Sequence, residues 1–568
     1  MKGKKRLAVL LAAWMCLSLL AGCGETEAGL SLTVCAGGAP ESLDPIYATE
    51  SADQTILVHL YENLMRVATD VSGKATVTNG MAKSVDEEEN QDGTVTYTFK
   101  LRSAKWSDGR AVKAGDFVYA WQRLVDPANA SPYASVLSVV VGYDEVRETG
   151  DVTALQVTAK NDTTLVVVLD GYYDWFLTDV CTSPATLPLR QDILQKWEAA
   201  NAPAQEAEEA EGEAAQQEET PQPDPWWMDV EQLVTNGPYQ PASYTLDSLT
   251  VTASEKYTGS LTGPRELVFR FADTAEEAWA LYEEKEVDFV WSLTDAQMEE
   301  LAAEDETWTP APELATYTVL FNCNQEVFAD QMVREAVVLA LDRTALAQAA
   351  GVTARPAEGL VPPGASQQEE GDFRTRSGAL LDNDPELYEE RCAQAQELLS
   401  QAGYERGEEL GVLEYLYIDE GGNSTVAHEL VDQWSRVLGM DVVPRSVTVE
   451  EMAAALESGS YTLAGVNVTA VTSDAECFLT PWTSGSVSNV VGYENSAYDT
   501  LMAIIAAASD GTARLGCLHD AEELLLADAP LAPLYTTVTD WELRDTLTGV
   551  VRDARGWFSF AGVTVWNG

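Results

Sequence analysis

The sequence predicts an α/β protein of several lobes, and three observations carry that prediction. Its 568 residues are more than one hydrophobic core ordinarily organises. Hydrophobic residues make up 46% of the chain and charged residues 22%, with 15 Trp and 21 Tyr, which supplies packed cores and argues against a disordered chain. Segments of strand period and helix period alternate from end to end, as in layered α/β structures.

Each element follows from its own spacing. Residues 94–101, TVTYTFKL, alternate with period two, as does LVVVL at 165–169, bounded by Asp and Gly. In DFVYAWQRL, Phe117, Trp121 and Leu124 recur at i, i+4 and i+7 and form one apolar, core-facing stripe. Helices are predicted over 275–286, 332–350, 385–402 and 426–438, with Gly351, Gly403 and Gly439 where helix stops belong. A helix then runs into a strand across 438–447, a second helix starts at Val449 and a strand at Tyr461. Runs of this αβαβ kind build open sheets that bind ligands at strand ends. Of Trp106, Trp121, Trp175, Trp291, Trp434 and Trp482, most are expected in the core and a few at a cleft, where they would stack on a ligand.

The N-terminus carries Lys2, Lys4, Lys5 and Arg6, then an apolar run from Leu7 to Leu20. That run is too short for the roughly 20 residues a spanning helix needs and reads as a secretory signal over 1–22. Leu20-Ala21-Gly22-Cys23 resembles a bacterial lipobox, which implies cleavage before Cys23 and lipid attachment to its thiol. The expected place is therefore the outward face of a cell membrane, extracellular or periplasmic, held by the lipid. With 92 acidic and 34 basic residues the chain has a formal charge of -58. Removal of the signal leaves 30 basic residues and a charge near -62. Such a chain does not hold phosphate backbones, so nucleic-acid partners are excluded, and its self-repulsion favours a monomer. Cys35, Cys181, Cys323, Cys392, Cys477 and Cys517 remain, none in a CxxC pair, and are expected as buried free thiols. Residues 199–225, rich in Ala, Glu, Gln and Pro without a basic or aromatic residue, form a solvated insertion.

Catalytic signals are missing from the sequence. His59, His428 and His519 are too scattered for a histidine-based machine, and GxSxG, HExxH, Walker and GxGxxG motifs are absent. No cofactor or metal is called for. Carboxylates are so abundant that a pair acting as a glycosidase-like acid and base would be indistinguishable among them.

Several segments in order resemble solute-binding family 5, the extracellular oligopeptide- and dipeptide-binding proteins of ABC importers. They are ESLDPIYAT at 41–49 with YENL at 61–64, and YTFKLRSAKWSDGRAVKAGDFVYAWQRLVDPANASPYAS at 97–135. Then come TNGPY at 235–239, YTVLFN at 317–322, VREA at 333–336, LDR at 341–343, AQELL at 395–399, AGY at 402–404 and APLY at 532–535. The resemblance implies a periplasmic-binding-protein-like, two-lobed (Venus flytrap) α/β fold with an extra domain. Lobe I would comprise 23–59, 184–313 and 536–568, the extra domain 60–183, and lobe II 314–535. It also implies capture of a peptide or other small solute by lobe closure, and delivery to permease subunits driven by a cytoplasmic ATPase.

The site departs from the family pattern. Peptide binders often carry Arg-x-Gly-Trp-x-x-Asp-Tyr six residues before a Phe-Leu pair, and the Asp pairs with the peptide ammonium. Anchoring on Phe478-Leu479 places Gly465 at the cationic position, Val468 at the Trp and Val471 at the Asp. Asp474 would substitute through a shifted loop, or else caps a short helix from an exposed position. Ligand-lining positions implied by the resemblance are Thr49, Ser51, Tyr317, Thr318, Val471, Asp474, Trp482, Asn489 and Tyr535. Three readings stay open: a peptide pocket relying on backbone pairing, a pocket for a less zwitterionic solute, and a carboxylate-based hydrolase.

Overall fold

The computed structural model describes residues 29–566 apart from 70–74, 202–224, 231, 292, 305–309, 367–371 and 509–510. The signal, Cys23 and most of the acidic insertion lie outside the described residues. Two six-stranded sheets and one four-stranded sheet organise the rest. The first runs Glu542–Leu543, Phe289–Val290, Ser31–Cys35, Glu266–Arg270, Ser248–Ala253, Tyr239–Tyr244, with parallel pairing on both sides of Ser31–Cys35. Its faces are both covered: Leu32 and Val34 enter one core and Cys35 another, as alternation along a strand requires. The second sheet runs Ala354–Pro356, Leu531–Thr539, Ala311–Phe321, Leu463–Thr469, Val412–Ile418, Asp441–Val447. Tyr317, Val319 and Phe321 project to one side of it and Leu320 to the other. This double burial explains why these strands read as apolar runs.

The period-two segments fold as expected. Val95–Leu101 and Thr164–Leu169 pair antiparallel at the centre of the four-stranded sheet. Val95, Tyr97, Phe99 and Leu101 share a core with helix Ala114–Val125, where Phe117, Trp121 and Leu124 are fully buried. That helix is tied to the SLDP turn by a bidentate pair, Arg123 to Asp44 at 2.7 Å on both branches, with the Trp226 indole donating to Asp44 at 3.0 Å. Gly109 closes the WSDG turn at φ +88 and Asp108 accepts from the Arg110 amide, as that sequence requires.

Some expectations are corrected, among them two helices and the burial of four thiols. Residues 332–350 form two helices, Gln331–Leu339 and Arg343–Ala350, because the Asp342 side chain accepts from the Ala345 amide and starts a new helix. The helix expected at 426 begins earlier, as Asn423–Leu438, and ends at Gly439 in the left-handed region. All six cysteines are free thiols; Cys35 and Cys181 are buried, whereas the other four are partly exposed.

The helix Ser51–Leu60 carries a buried histidine with a pH consequence. His59 Nδ1–H donates to the Thr55 carbonyl at 2.6 Å, and Nε2 accepts from the Phe560 amide at 2.8 Å. Only the neutral ring can make both bonds, and burial lowers its pKa from 6.5 to about 4. The folded state therefore binds fewer protons than the unfolded state between these values, and stability falls as pH drops through that window. At pH 5 the loss from this ring is about 2 kcal/mol. Asp53 on the same helix is raised to about 6 and acts with the opposite sign, so the effect is read as a difference. Denaturant titrations at pH 7 and pH 5 should show a smaller drop for His59→Gln than for the unsubstituted protein.

Candidate ligand-binding cleft

A cavity of about 330 Å³ lies where the body that joins the first large sheet and the four-stranded sheet in one core faces the body of the second large sheet. One wall comes from the hairpin Met65–Thr69/Ala75–Asn79, residues 174–179 and the loop Asp553–Arg555; the other comes from Ser366, Ser473 and Asp474. The cavity's lining includes no residue of the paired strands Ala311–Phe321 and Leu531–Thr539, next to which the chain passes between the two sheets.

The walls are bonded across the gap. The Ser473 amide and hydroxyl both donate to Asp179 Oδ2, the hydroxyl at 2.8 Å. Asp179 is buried, and Arg555 fixes its segment by donating to the Asp179 carbonyl and to Thr182 Oγ1, each at 2.6 Å. Burial pushes the Asp179 carboxyl up, against the pull of Arg555. On the opposite wall the Ser366 amide donates to the Ser473 carbonyl at 2.6 Å and the Ala475 amide donates to the Ser366 carbonyl, so Ser473 is presented by a pinned segment.

Asp474 stands just ahead of the short helix Glu476–Leu479, whose N-cap is Ala475, and its Oδ1 accepts from the Glu476 amide at 2.8 Å. It is only 1% exposed, however, which corrects the exposed alternative. Arg514 compensates it, with Nη2 at 2.8 Å and Nη1 at 3.2 Å from its two oxygens, and also reaches Glu476 at 2.7 Å. Val471 is half-buried and packs against the hydrophobic core of the first body, so the position aligned with the family's acid is an apolar contact between bodies. Ser51 lies beside Gly556, next to Arg555, and Thr49 is exposed nearby.

The remaining expected positions sit within the body of the second sheet with their polar atoms committed. Tyr317 stacks on Tyr535 at 5.0 Å and meets the Tyr415 hydroxyl at 3.3 Å, while Tyr535 donates to Asn423. Thr318 Oγ1 donates to the Thr316 carbonyl. The Trp482 indole donates to the Phe478 carbonyl at 2.9 Å, and Asn489 ties the loop after it by donating to the Thr483 and Tyr493 carbonyls. Of the six tryptophans weighed from sequence, Trp106, Trp121, Trp434 and Trp482 are core, Trp291 donates to Thr539 beside the crossing strands, and Trp175 lines the cavity. Asp174, Asp179, Ser366, Ser473 and Arg555 carried no motif that would have singled them out.

Gly465 shows why a cationic side chain has no place at that position. A Cβ there would stand 2.1 Å from the Tyr415 hydroxyl and 2.5 Å from that of Tyr317. Gly465→Ala should cost on the order of 2 kcal/mol by overpacking a buried tyrosine pair. An unchanged denaturation midpoint would show that the two rings move aside freely.

Two α/β bodies with a cavity between them and an additional antiparallel sheet define a two-lobed ligand-binding protein with an extra domain. The chain belongs to the bacterial extracellular solute-binding proteins, family 5, whose model, described as the family 5 middle region, matches residues 76–489. It is thus the solute-binding component of an ABC transporter, and the hydrolase reading falls away, because these are binding proteins and not enzymes. It is 28% identical over 506 residues to the probable deoxycholate-binding periplasmic protein YgiS of Escherichia coli, covering 87% of this chain and 86% of that one. It is also 28% identical over 545 residues to the periplasmic oligopeptide-binding protein OppA of Escherichia coli, covering 93% and 91%. The solved structure of Burkholderia pseudomallei OppA superposes with a TM-score of 0.71 at 24% identity, covering 95% of this chain and 100% of that one.

Proposed function

We propose that this protein captures oligopeptides by closing its lobes over the cavity and hands them to a membrane permease. The observation that carries the closure is the direct polar contact between walls, Ser473 to Asp179, at the rim of a cavity lined from both sides. Peptide as the solute draws support from the similarity to OppA along nearly the whole chain. In this reading lobe I comprises 23–59, 184–313 and 536–568, the extra domain 60–183 and lobe II 314–535. Cys23 carries the lipid that holds the monomer on the outer face of the membrane.

A second reading, capture of a non-peptide solute, is favoured by Gly465, Val468 and Val471 standing where a peptide-ammonium site has charged and aromatic groups, and by the equal similarity to a probable deoxycholate-binding protein. Native mass spectrometry after stripping ligand by partial unfolding separates the two. Retention of members of a peptide library supports the first. Retention of deoxycholate or another extract component, with no peptide bound, supports the second and overturns the first.

A further inference from the structure

Four acids line the cavity: Asp174, Asp179, Asp474 and Asp553. Three have partners: Asp179 accepts from Ser473, Asp474 from Arg514, and Asp553 from Arg555 at 2.8 Å. Asp174 is different, because its Oδ1 is buried beyond the reach of water and has no hydrogen-bond partner. Nothing that enters the cavity can therefore stabilise charge on that atom, and an uncompensated buried charge is costly. The opposite wall makes the charge harder to keep. Asp474 and Glu476 stand there with a single guanidinium between them, and Arg514 commits Nη1 and Nη2 to those two carboxylates. Burial, and after it the charge of Asp474, hold the Asp174 carboxyl above the usual range, with Arg514 opposing. Glu476 feels the charge of Asp174 in turn. On the near wall Arg555 is committed to Asp553, the Asp179 carbonyl and Thr182, and Tyr172 on the same loop is pushed up by burial and stays neutral. The hairpin residues that line the cavity, Val67 and residues 75–77, carry no charge.

We propose that closing of the lobes is coupled to the uptake of one proton from solvent by Asp174. This rests on the closure reading and names what the closed form requires. Asp474 and Arg514 belong to the other wall, so the surroundings of Asp174 are complete only when the walls meet. With the walls apart, its carboxylate faces water and titrates in the usual range; with the walls together, it titrates higher. The closed form then binds more protons than the open form between those two values, and closure is favoured as pH falls through that window. One linked proton limits the effect to about tenfold in the closing equilibrium per pH unit. Asp179 and Glu476 are also pushed up by burial, so the contribution of Asp174 is read as a difference between proteins.

The test is small-angle scattering of the ligand-free protein at pH 7 and pH 5. The unsubstituted protein should be more compact at pH 5. Asp174→Asn, which keeps the shape of the side chain without its charge, should already be compact at pH 7 and change less between the two. Asp174→Ala should behave in the same way, and circular dichroism identifies which variants are folded. A compactness that does not change with pH in the unsubstituted protein, or that changes as much in the folded variants, overturns the coupling. Saturation with a peptide library or with deoxycholate separates this result from closure itself. Equal compaction by either at both pH values overturns the coupling and leaves closure standing. Absence of compaction under every one of these conditions overturns both.

Discussion

Replacing Arg514 with methionine should lower folding stability by about 3–5 kcal/mol, the usual penalty for removing one partner from a buried ionic cluster. The guanidinium bonds Asp474 through both branches and Glu476 through one, and all three residues are nearly inaccessible to water. Methionine fills much of the volume, so the penalty comes from two buried carboxylates left facing each other and not from a cavity. The pH dependence gives an independent readout. Glu476 is already held above the usual carboxylate range by burial and by Asp474, with Arg514 opposing the shift. Without the arginine, the Glu476 carboxyl rises further and the folded state binds more protons than the unfolded state. Stability of the variant then falls as pH rises through the raised value, so its deficit should shrink between pH 7 and pH 5. Denaturant titration at the two pH values measures this. The triple variant Asp474→Asn, Glu476→Gln, Arg514→Met should recover most of the loss, because it removes the uncompensated charges with their partner. A deficit below about 1 kcal/mol for Arg514→Met alone would mean that the cluster is hydrated and contributes little.

The same cluster marks where sequence reading stopped. What repeats along the chain was legible: the alternation in Val95–Leu101, the stripe of Phe117, Trp121 and Leu124, and the glycines that end helices each act through neighbours a few residues away. What depends on distant partners was not. Asp474 could be placed just ahead of a short helix, but its neutralisation by Arg514, forty residues later, follows from packing that no local pattern encodes. Tyr317 and Tyr535 were named through a family resemblance, and their ring stacking and the hydroxyl contact to Tyr415 place them in the sheet's core instead of against the cavity. The cavity wall was the least legible part. Asp174, Trp175 and Asp179 come from a loop between the four-stranded sheet and the first large sheet, and nothing in that loop's composition separates an acid that faces the opposite wall from one that faces water.

Asp179→Ala should weaken ligand binding by roughly 30- to 150-fold while leaving each body folded. The carboxylate accepts two hydrogen bonds from Ser473, a residue 294 positions away on the other wall, and these bonds exist only when the walls meet. On the proposed lobe closure, water would satisfy both sides in the open protein. In the closed protein, alanine would leave the Ser473 amide and hydroxyl facing a surface without an acceptor, a cost of about 2–3 kcal/mol charged entirely to closure. That figure converts directly into the predicted change in Kd, since ligand affinity includes the free energy of closing. Arg555 is not stranded by the change, because it keeps Asp553 at 2.8 Å and its bonds to the Asp179 carbonyl and Thr182, so local unfolding is not expected. Asp179→Asn retains one acceptor oxygen and should recover part of the affinity, which separates the bond to Ser473 from the shape of the side chain. Small-angle scattering with saturating ligand supplies the structural readout: the alanine variant should stay more expanded than the unsubstituted protein at the same ligand occupancy. If both proteins compact equally and bind equally well, the contact between Asp179 and Ser473 is incidental to closure, and the energy that holds the lobes shut comes from the ligand alone.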